Sequence, residues 1–257
     1  MIAVISLGGS ILAPKEGPDA EFLIAFKQAL SLWLDSGNHK AIIVVGGGAP
    51  ARIWQQAYRT FIEKSEREKR SQSDSSEPGR DGAAVSQTES ALMNAAFDRI
   101  GIAATRLNAQ LIREVFGDLC PDPVVTDPTA DIEMRGRVLV GAGWKPGFST
   151  DYDAVLLAER FGADSVINLS NVTKIHDDDP RKNPHARPLD RITFDRLLVM
   201  TGEHWNPGAN VPFDPIAARK ARDIGLRIIF AHGRNLENFL DILFGRPYIG
   251  TVIQDSP

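Results

Sequence analysis

A single cysteine, Cys120, stands among 257 residues. No internal disulfide can form, and a reducing compartment, the cytoplasm, is the expectation. No activating histidine lies close to it in sequence, so it reads as a structural thiol and not a nucleophile. The five histidines, His39, His176, His185, His204 and His232, are scattered, which argues against a histidine metal site; no protein-held metal is expected. Positive charge is not in excess either. Against 29 Lys and Arg stand 33 Asp and Glu, a net charge of −4, so neither nucleic acid nor an anionic membrane is expected as a partner. No apolar run reaches the roughly 18 residues that a membrane span needs. The opening MIAVISLGGSIL has no basic start and runs into a glycine turn, so it reads as a first strand and not a secretory signal. GxxxxGK[ST], GxSxG, HExxH and CxxC are all missing, and the glycines do not spell GxGxxG, which speaks against P-loop and dinucleotide-binding folds.

What is present alternates between short β-rich runs and helical patterns. Ile2–Leu7 predicts a strand closed by Gly8-Gly9-Ser10, and residues 21–35 predict a helix ended by Ser36-Gly37-Asn38. AIIVVGGG is a continuous apolar strand entering three glycines, as in a parallel sheet covered on both faces. Further strands are expected in PVVT (123–126), GRVLVGAG, DSVINLSNV, LRIIFAHG and YIGTVI. Helices are expected from near Gln87 through Phe97, and in GIAATRLNAQLIREVF, the stretch after Ser149, TFDRLLVM, PIAARKARDIG and ENFLDILFG. This order implies an α/β fold, a three-layer αβα sandwich with a mainly parallel central sheet, forming one domain over residues 1–257. Residues 63–81 contain no hydrophobic side chain. They read as a solvated helix end followed by a mobile polar segment, with a flap over a substrate site as the functional alternative.

Five expected strands end in glycine or small polar residues: LGGS, VVGGGAPAR, VGAG, LSNV and FAHG. Ligands of open α/β sheets sit at the carboxyl ends of strands, and glycine lets backbone N–H groups approach phosphate closely. A phosphate-rich ligand follows. The stretch GWKPGFSTDYDAVLLAERFGAD places Asp151 at a helix start where an anion would otherwise sit. A phosphate near Ser149 and Thr150 would be repelled unless a lysine, an arginine or Mg²⁺ lay between. Lys145, Lys174, Arg181 and Lys182 lie in loops expected to cluster there. An aspartate orienting cations around a moving phosphoryl group suits phosphoryl transfer, which depends on positioning and charge stabilisation. The run Asp177-Asp178-Asp179 before Pro180 is either a solvated turn or a contact to a ribose hydroxyl or Mg²⁺.

Taken in order, ISLGGSIL, VVGGGAPAR, DRIGIAATRLNAQL, GFSTDYDAVLLAERFGAD, NVTKIHDDDPRKNP, FDPIAARKARDIG and GTVI resemble the amino-acid kinase superfamily. Within it they most resemble the archaeal-type uridylate kinases. The resemblance spans nearly the whole chain apart from roughly residues 63–89. It implies transfer of the γ-phosphoryl group of Mg-ATP to UMP without a covalent intermediate, with ATP as co-substrate and Mg²⁺ as cofactor. It implies that Gly8, Gly9 and Ser10 cradle the transferring group. Gly46, Gly47, Gly48 and Arg52 would line the UMP side, with Asp98 on the ribose and Gly101 and Thr105 along the acceptor pocket. Ser149 and Thr150 would contact phosphate, and Asp151 would organise the catalytic cations. Asn171, His176, Asp179 and Lys182 would serve the ATP side. A homo-oligomer, hexameric in the family, is implied as well. Two departures stand out. The donor loop NVTKIHDDDP replaces the family's usual Asp-Gly by Thr173-Lys174 and its tyrosine by His176. Leu7 precedes Gly8 where many members carry a lysine, and Lys145 is a candidate source of that charge. The alternatives are a kinase of this fold with a carboxylate, carbamate or isoprenoid phosphate acceptor, or a non-catalytic nucleotide or oxyanion binder of the molybdate and tungstate storage type.

Overall fold

The computed structural model describes residues 1–72, 82–202 and 212–255. Strand β1 (Ile2–Leu7) leads through a turn into the short α1 (Gly9–Leu12), followed by α2 (Ala20–Asp35) and β2 (Lys40–Val45). Two long helices come next, α3 (Gly48–Gln72) and α4 (Gly82–Phe116), and then β3 (Val138–Gly141), α5 (Thr150–Phe161) and β4 (Ser165–Ser170). The last part holds β5 (Arg191–Ile192), α6 (Phe194–Thr201), α7 (Pro215–Asp223), β6 (Arg227–His232), α8 (Leu236–Leu243) and β7 (Thr251–Ile253). Among the described residues seven strands form one sheet in the order β3-β2-β1-β4-β6-β7-β5. Every pairing is parallel except β6 with β7.

Strand alternation sorts the core onto two faces. Ile5, Leu7, Ile43 and Val45 meet Phe26, Leu30 and Trp33 of α2, Phe116 of α4 and Phe239 of α8. Val4, Ile42, Val44 and Val166 meet Ala154 and Leu157 of α5, Leu197 of α6 and Ala217 of α7. Phe26 stacks on Phe239 at 5.6 Å and meets Phe116 edge-on at 6.3 Å, so one aromatic cluster joins α2, α4 and α8. Full burial of such a side chain contributes roughly 1.5–3 kcal/mol. Helix starts are fixed by side-chain caps: Asp19 to the Phe22 N–H, Ser149 to Tyr152, Thr193 to Arg196 and Asp214 to Ile216.

Several boundaries differ from the sequence reading. Residues 63–72 continue α3 as helix; Glu, Lys, Arg and Gln are good helix formers, and Glu63–Arg67 and Lys64–Glu68 have favourable i,i+4 spacing. The rest of the polar segment, 73–81, lies outside the described residues, as do 203–211, which include His204 and much of the loop NPGANVPFDP. The helix expected from Gln87 begins at Gly82 and runs unbroken to Phe116, with Gly101 inside it. PVVT is not a strand: Val125 makes only an isolated bridge to Gly141. No described helix is long and apolar enough to cross a membrane.

Candidate active site

The carboxyl ends of β1, β2 and β4 meet backbone to backbone. The Gly8 N–H donates to the Leu169 carbonyl at 2.9 Å, and the Gly46 N–H to that of Leu7 at 2.9 Å. A Cβ on Gly9 would run into the backbone of Gly46 and Gly48, and one on Gly46 would lie 2.6 Å from the Gly9 nitrogen. Gly48 has a φ of +65°. The glycines are therefore needed for the approach of two loops, and the approach brings Gly8, Gly9 and Ser10 beside Gly46, Gly47 and Gly48. Asn108, buried on α4, donates to the Gly46 and Gly47 carbonyls at 2.9 and 3.2 Å.

Helix α4 also shapes the next loop. A Cβ on Gly47 would meet the Gly101 carbonyl at 3.3 Å and the Thr105 methyl at 3.6 Å, which groups Gly47, Gly101 and Thr105. The Thr105 hydroxyl accepts the Gly143 N–H at 2.9 Å and donates to the Ile102 carbonyl at 2.7 Å. Arg106 donates to the Trp144 carbonyl at 3.1 Å. Asp98 accepts the Gly147 N–H at 2.7 Å. Arg52 is exposed near the start of α3. Lys145 is exposed on this β3–α5 loop, its Nζ 3.6 Å from the Trp144 ring centre. Trp144, Phe148 and Tyr152 form a ladder with steps of 5.3 and 4.6 Å.

Asp151 enters from the first turn of α5. Its Oδ1 accepts the Ser6 hydroxyl at 2.8 Å and the Asn168 side-chain N–H at 2.9 Å, and its Oδ2 accepts the Asp214 backbone N–H at 3.4 Å. Ser6 and Asn168 are register partners on β1 and β4, so two neighbouring strands hold the same oxygen. Burial pushes the Asp151 carboxyl up and the Ser6 bond pulls it down; with the Asp214 charge pushing up, it reaches about 6. Asp214 is buried and receives the Ser149 hydroxyl, and its carboxyl is raised chiefly by burial. Asp153, only 1% exposed, accepts the Trp144 N–H at 3.2 Å through Oδ2. Burial pushes Asp153 to about 8.

Two of the four cations expected around Asp151 are engaged elsewhere. Lys174 pairs with Asp190. Arg181 grips Asp179 through Nε and Nη2, both at 3.0 Å, which holds that carboxyl below its usual range. Among the described residues no group of three or more His, Cys, Asp or Glu has the geometry to hold a metal ion. In the loop after β4, Asn171 and Lys182 are exposed. His176 is tied back by an Nδ1 contact of 3.1 Å to the Lys174 carbonyl and a bridge to Pro188. Cys120 is buried and its thiol is raised to about 11, far from a nucleophile's range.

Sequence reasoning missed Ser6, Asn108, Asp153, Asn168 and Asp214 as parts of this site. Two carried a readable signal. Ser6 is the polar break, second from the end, in IAVISL, and Asn168 is the polar break between the apolar residues of SVINLS.

Residues 1–232 match the Amino acid kinase family. The uridylate kinase of Thermococcus onnurineus (strain NA1) is 32% identical over 259 residues, spanning 99% of this chain and 100% of that protein. That of Methanospirillum hungatei is 32% identical over 257 residues, spanning 97% and 93%. Among solved structures, uridylate kinase from Archaeoglobus fulgidus superposes with a TM-score of 0.74 at 29% identity, covering 98% of this chain and all of that one. UMP kinase from Bacillus anthracis reaches 0.67 at 18% identity over 100% and 96%, a likeness of fold.

Proposed function

The chain belongs to the amino acid kinase family, and on that footing we propose that it is a UMP kinase, a phosphotransferase that converts UMP and ATP to UDP and ADP. One observation carries the reading: the glycine loops of β1 and β2 meet beside a partly buried aspartate fixed by two strands. This meeting point lies at the switch point of the sheet, where β1 is flanked by β2 on one side and β4 on the other.

In this reading an oxygen of the UMP phosphate attacks the γ-phosphorus of ATP. The bond from that phosphorus to the β–γ bridging oxygen breaks, and ADP leaves. Catalysis then rests on alignment and charge stabilisation. Gly8, Gly9 and Ser10 would cradle the transferring group with their N–H groups. Gly47, Gly48, Arg52, Asp98, Gly101 and Thr105 would form the UMP side, with Ser149 and Thr150 on phosphate. Asn171, His176, Asp179 and Lys182 would form the ATP side; Asp179 would act there together with its partner Arg181. Mg²⁺ would arrive as part of Mg-ATP, in keeping with the small, phosphate-bound way that ion is usually held. Asp151, ionised at neutral pH with its pKa near 6, would orient the cationic side chains that approach the phosphoryl group, Lys145 among them. We further place the whole chain in one domain, acting in the cytoplasm as a homo-oligomer.

The test is ADP release with Mg-ATP against UMP, CMP, dUMP, carbamate, N-acetylglutamate and isopentenyl phosphate. Turnover with UMP and not with the last three supports the reading. A folded protein that binds ATP yet turns over none of them would refute it and favour a binding or storage role.

A further inference from the structure

Asp153 is a buried carboxyl that the reaction does not use directly. It is only 1% exposed; among the described residues its Oδ2 accepts the Trp144 N–H at 3.2 Å and its Oδ1 has no partner. Burying a polar group with half its capacity unmet is costly, and a native fold that keeps one calls for an explanation. Asp153 sits two residues after Asp151, about 200° around the helix. Asp151 therefore points at β1 and β4, while Asp153 points at the loop between β3 and α5. Among the described residues several side chains anchor that loop. Three come from α4: Thr105 on Gly143, Arg106 on Trp144 and Asp98 on Gly147. Asp153 adds a tie from the helix turn bearing Asp151, beside the Ser149 cap on the Tyr152 N–H and the Phe148–Tyr152 stack.

We infer that Asp153 is a positioning residue: through the Trp144 N–H it fixes the β3–α5 loop relative to Asp151, and so sets the acceptor pocket in which Gly147 and Asp98 meet. The inference rests on the UMP kinase reading for its kinetic consequence and on geometry alone for the anchoring. Burial pushes the Asp153 carboxyl up most and the Trp144 N–H pulls it down; the charges of Asp151 on its own helix, Asp214 at the start of α7 and Asp127 before β3 push it further up, to about 8. The neutral acid is therefore the form in place at pH 7. Asparagine matches that form in shape and keeps an acceptor for Trp144; alanine keeps neither.

The experiment compares Asp153→Ala and Asp153→Asn at pH 7. For Asp153→Ala the expected result is a UMP KM raised about 10-fold with the ATP KM changed less than about threefold, since the loop lies on the acceptor side. Asp153→Asn is expected to restore the UMP KM to within about twofold. A second readout does not depend on the acceptor. In protein labelled with ¹⁵N-tryptophan, the Trp144 backbone amide peak, assigned by its loss in Trp144→Phe, should shift in Asp153→Ala far more than in Asp153→Asn. Should the alanine variant not fold, Asp153→Leu removes the acceptor while filling the space. A folded alanine or leucine variant with an unmoved Trp144 peak, or with wild-type UMP KM, would overturn the inference. A wild-type enzyme inactive on UMP, in which the peak still moves on substitution, would refute the substrate assignment while supporting the anchor.

Discussion

Replacing Asp153 by asparagine should change how stability depends on pH. The carboxyl has an ordinary value of 3.8 and is pushed by burial to about 8 in the folded protein. Between these values the native state holds a proton that the unfolded chain has released. Stability therefore falls as pH rises through this window, and levels off only above about 8. The loss is about 1.4 kcal/mol per pH unit, so about 2.7 kcal/mol between pH 5 and pH 7. Asparagine cannot ionise, and the variant should lack this slope. Asp151, raised to about 6, adds to the slope in both proteins and cancels in the comparison. Urea unfolding of both proteins at pH 5, 6 and 7 measures it. The stability of Asp153→Asn minus that of wild type should grow by roughly 2–3 kcal/mol from pH 5 to pH 7. A difference constant to within about 0.5 kcal/mol, the usual scatter of independent sites, would mean that Asp153 is hydrated or charged in the native state, and the reasoning would fail.

Asp151→Asn should lower kcat with UMP by about 10²–10⁴-fold while each KM moves only a few-fold, because the group acts on charge that develops during transfer; steady-state kinetics with a kcat near wild type would remove Asp151 from the mechanism. Gly9→Ala forces a methyl group into the backbone of Gly46 and Gly48. A loss on the order of 3 kcal/mol is expected, seen as a lowered melting temperature together with lost turnover, and an unchanged melt would show that the loops are not in contact. Lys145→Met should reduce kcat if Lys145 supplies charge to the phosphoryl group, and unchanged kcat and KM would sink that role.

Much of the fold could be read from the chain because its strands are apolar on both faces. IAVISL, KAIIVV and RIIFAH have few other ways to bury themselves than in a covered parallel sheet. The two long helices were harder. Residues 63–72 of α3 have no apolar stripe, so periodicity is silent there and only propensity favours helix. The sequence reading starts a second helix at Gly101, yet that glycine lies inside α4, where Gln55 packs close, 3.0 Å from where a Cβ would be. The grouping of the glycine loops near Asp151 was legible because strand-end glycines and a helix start gather at one edge of a parallel sheet. Asp153 and Asn108 were not, because a polar residue inside a helical pattern looks solvated until the tertiary structure turns it inward. Asp214 was hidden differently. Asp-Pro before a helix is an ordinary cap, and this cap also receives the Ser149 hydroxyl and shares its neighbourhood with Asp151.

The strand order has a consequence for the making of the protein. Of the described strands β1 is made first, but the groups that complete its glycine turn come much later. Ser6 waits for Asp151, 145 residues on, and Gly8 for the Leu169 carbonyl. Arg234 reaches back to Asp19 at 2.8 Å and to the Ile11 carbonyl at 3.2 Å, the latter across 223 residues. Closing such long loops is slow relative to local helix formation. During translation at about 5–20 residues per second, helices such as α2 can form while the later partners of the glycine turn are still unmade. The site is then among the last parts of the molecule to exist, and an incomplete chain has no means to consume ATP.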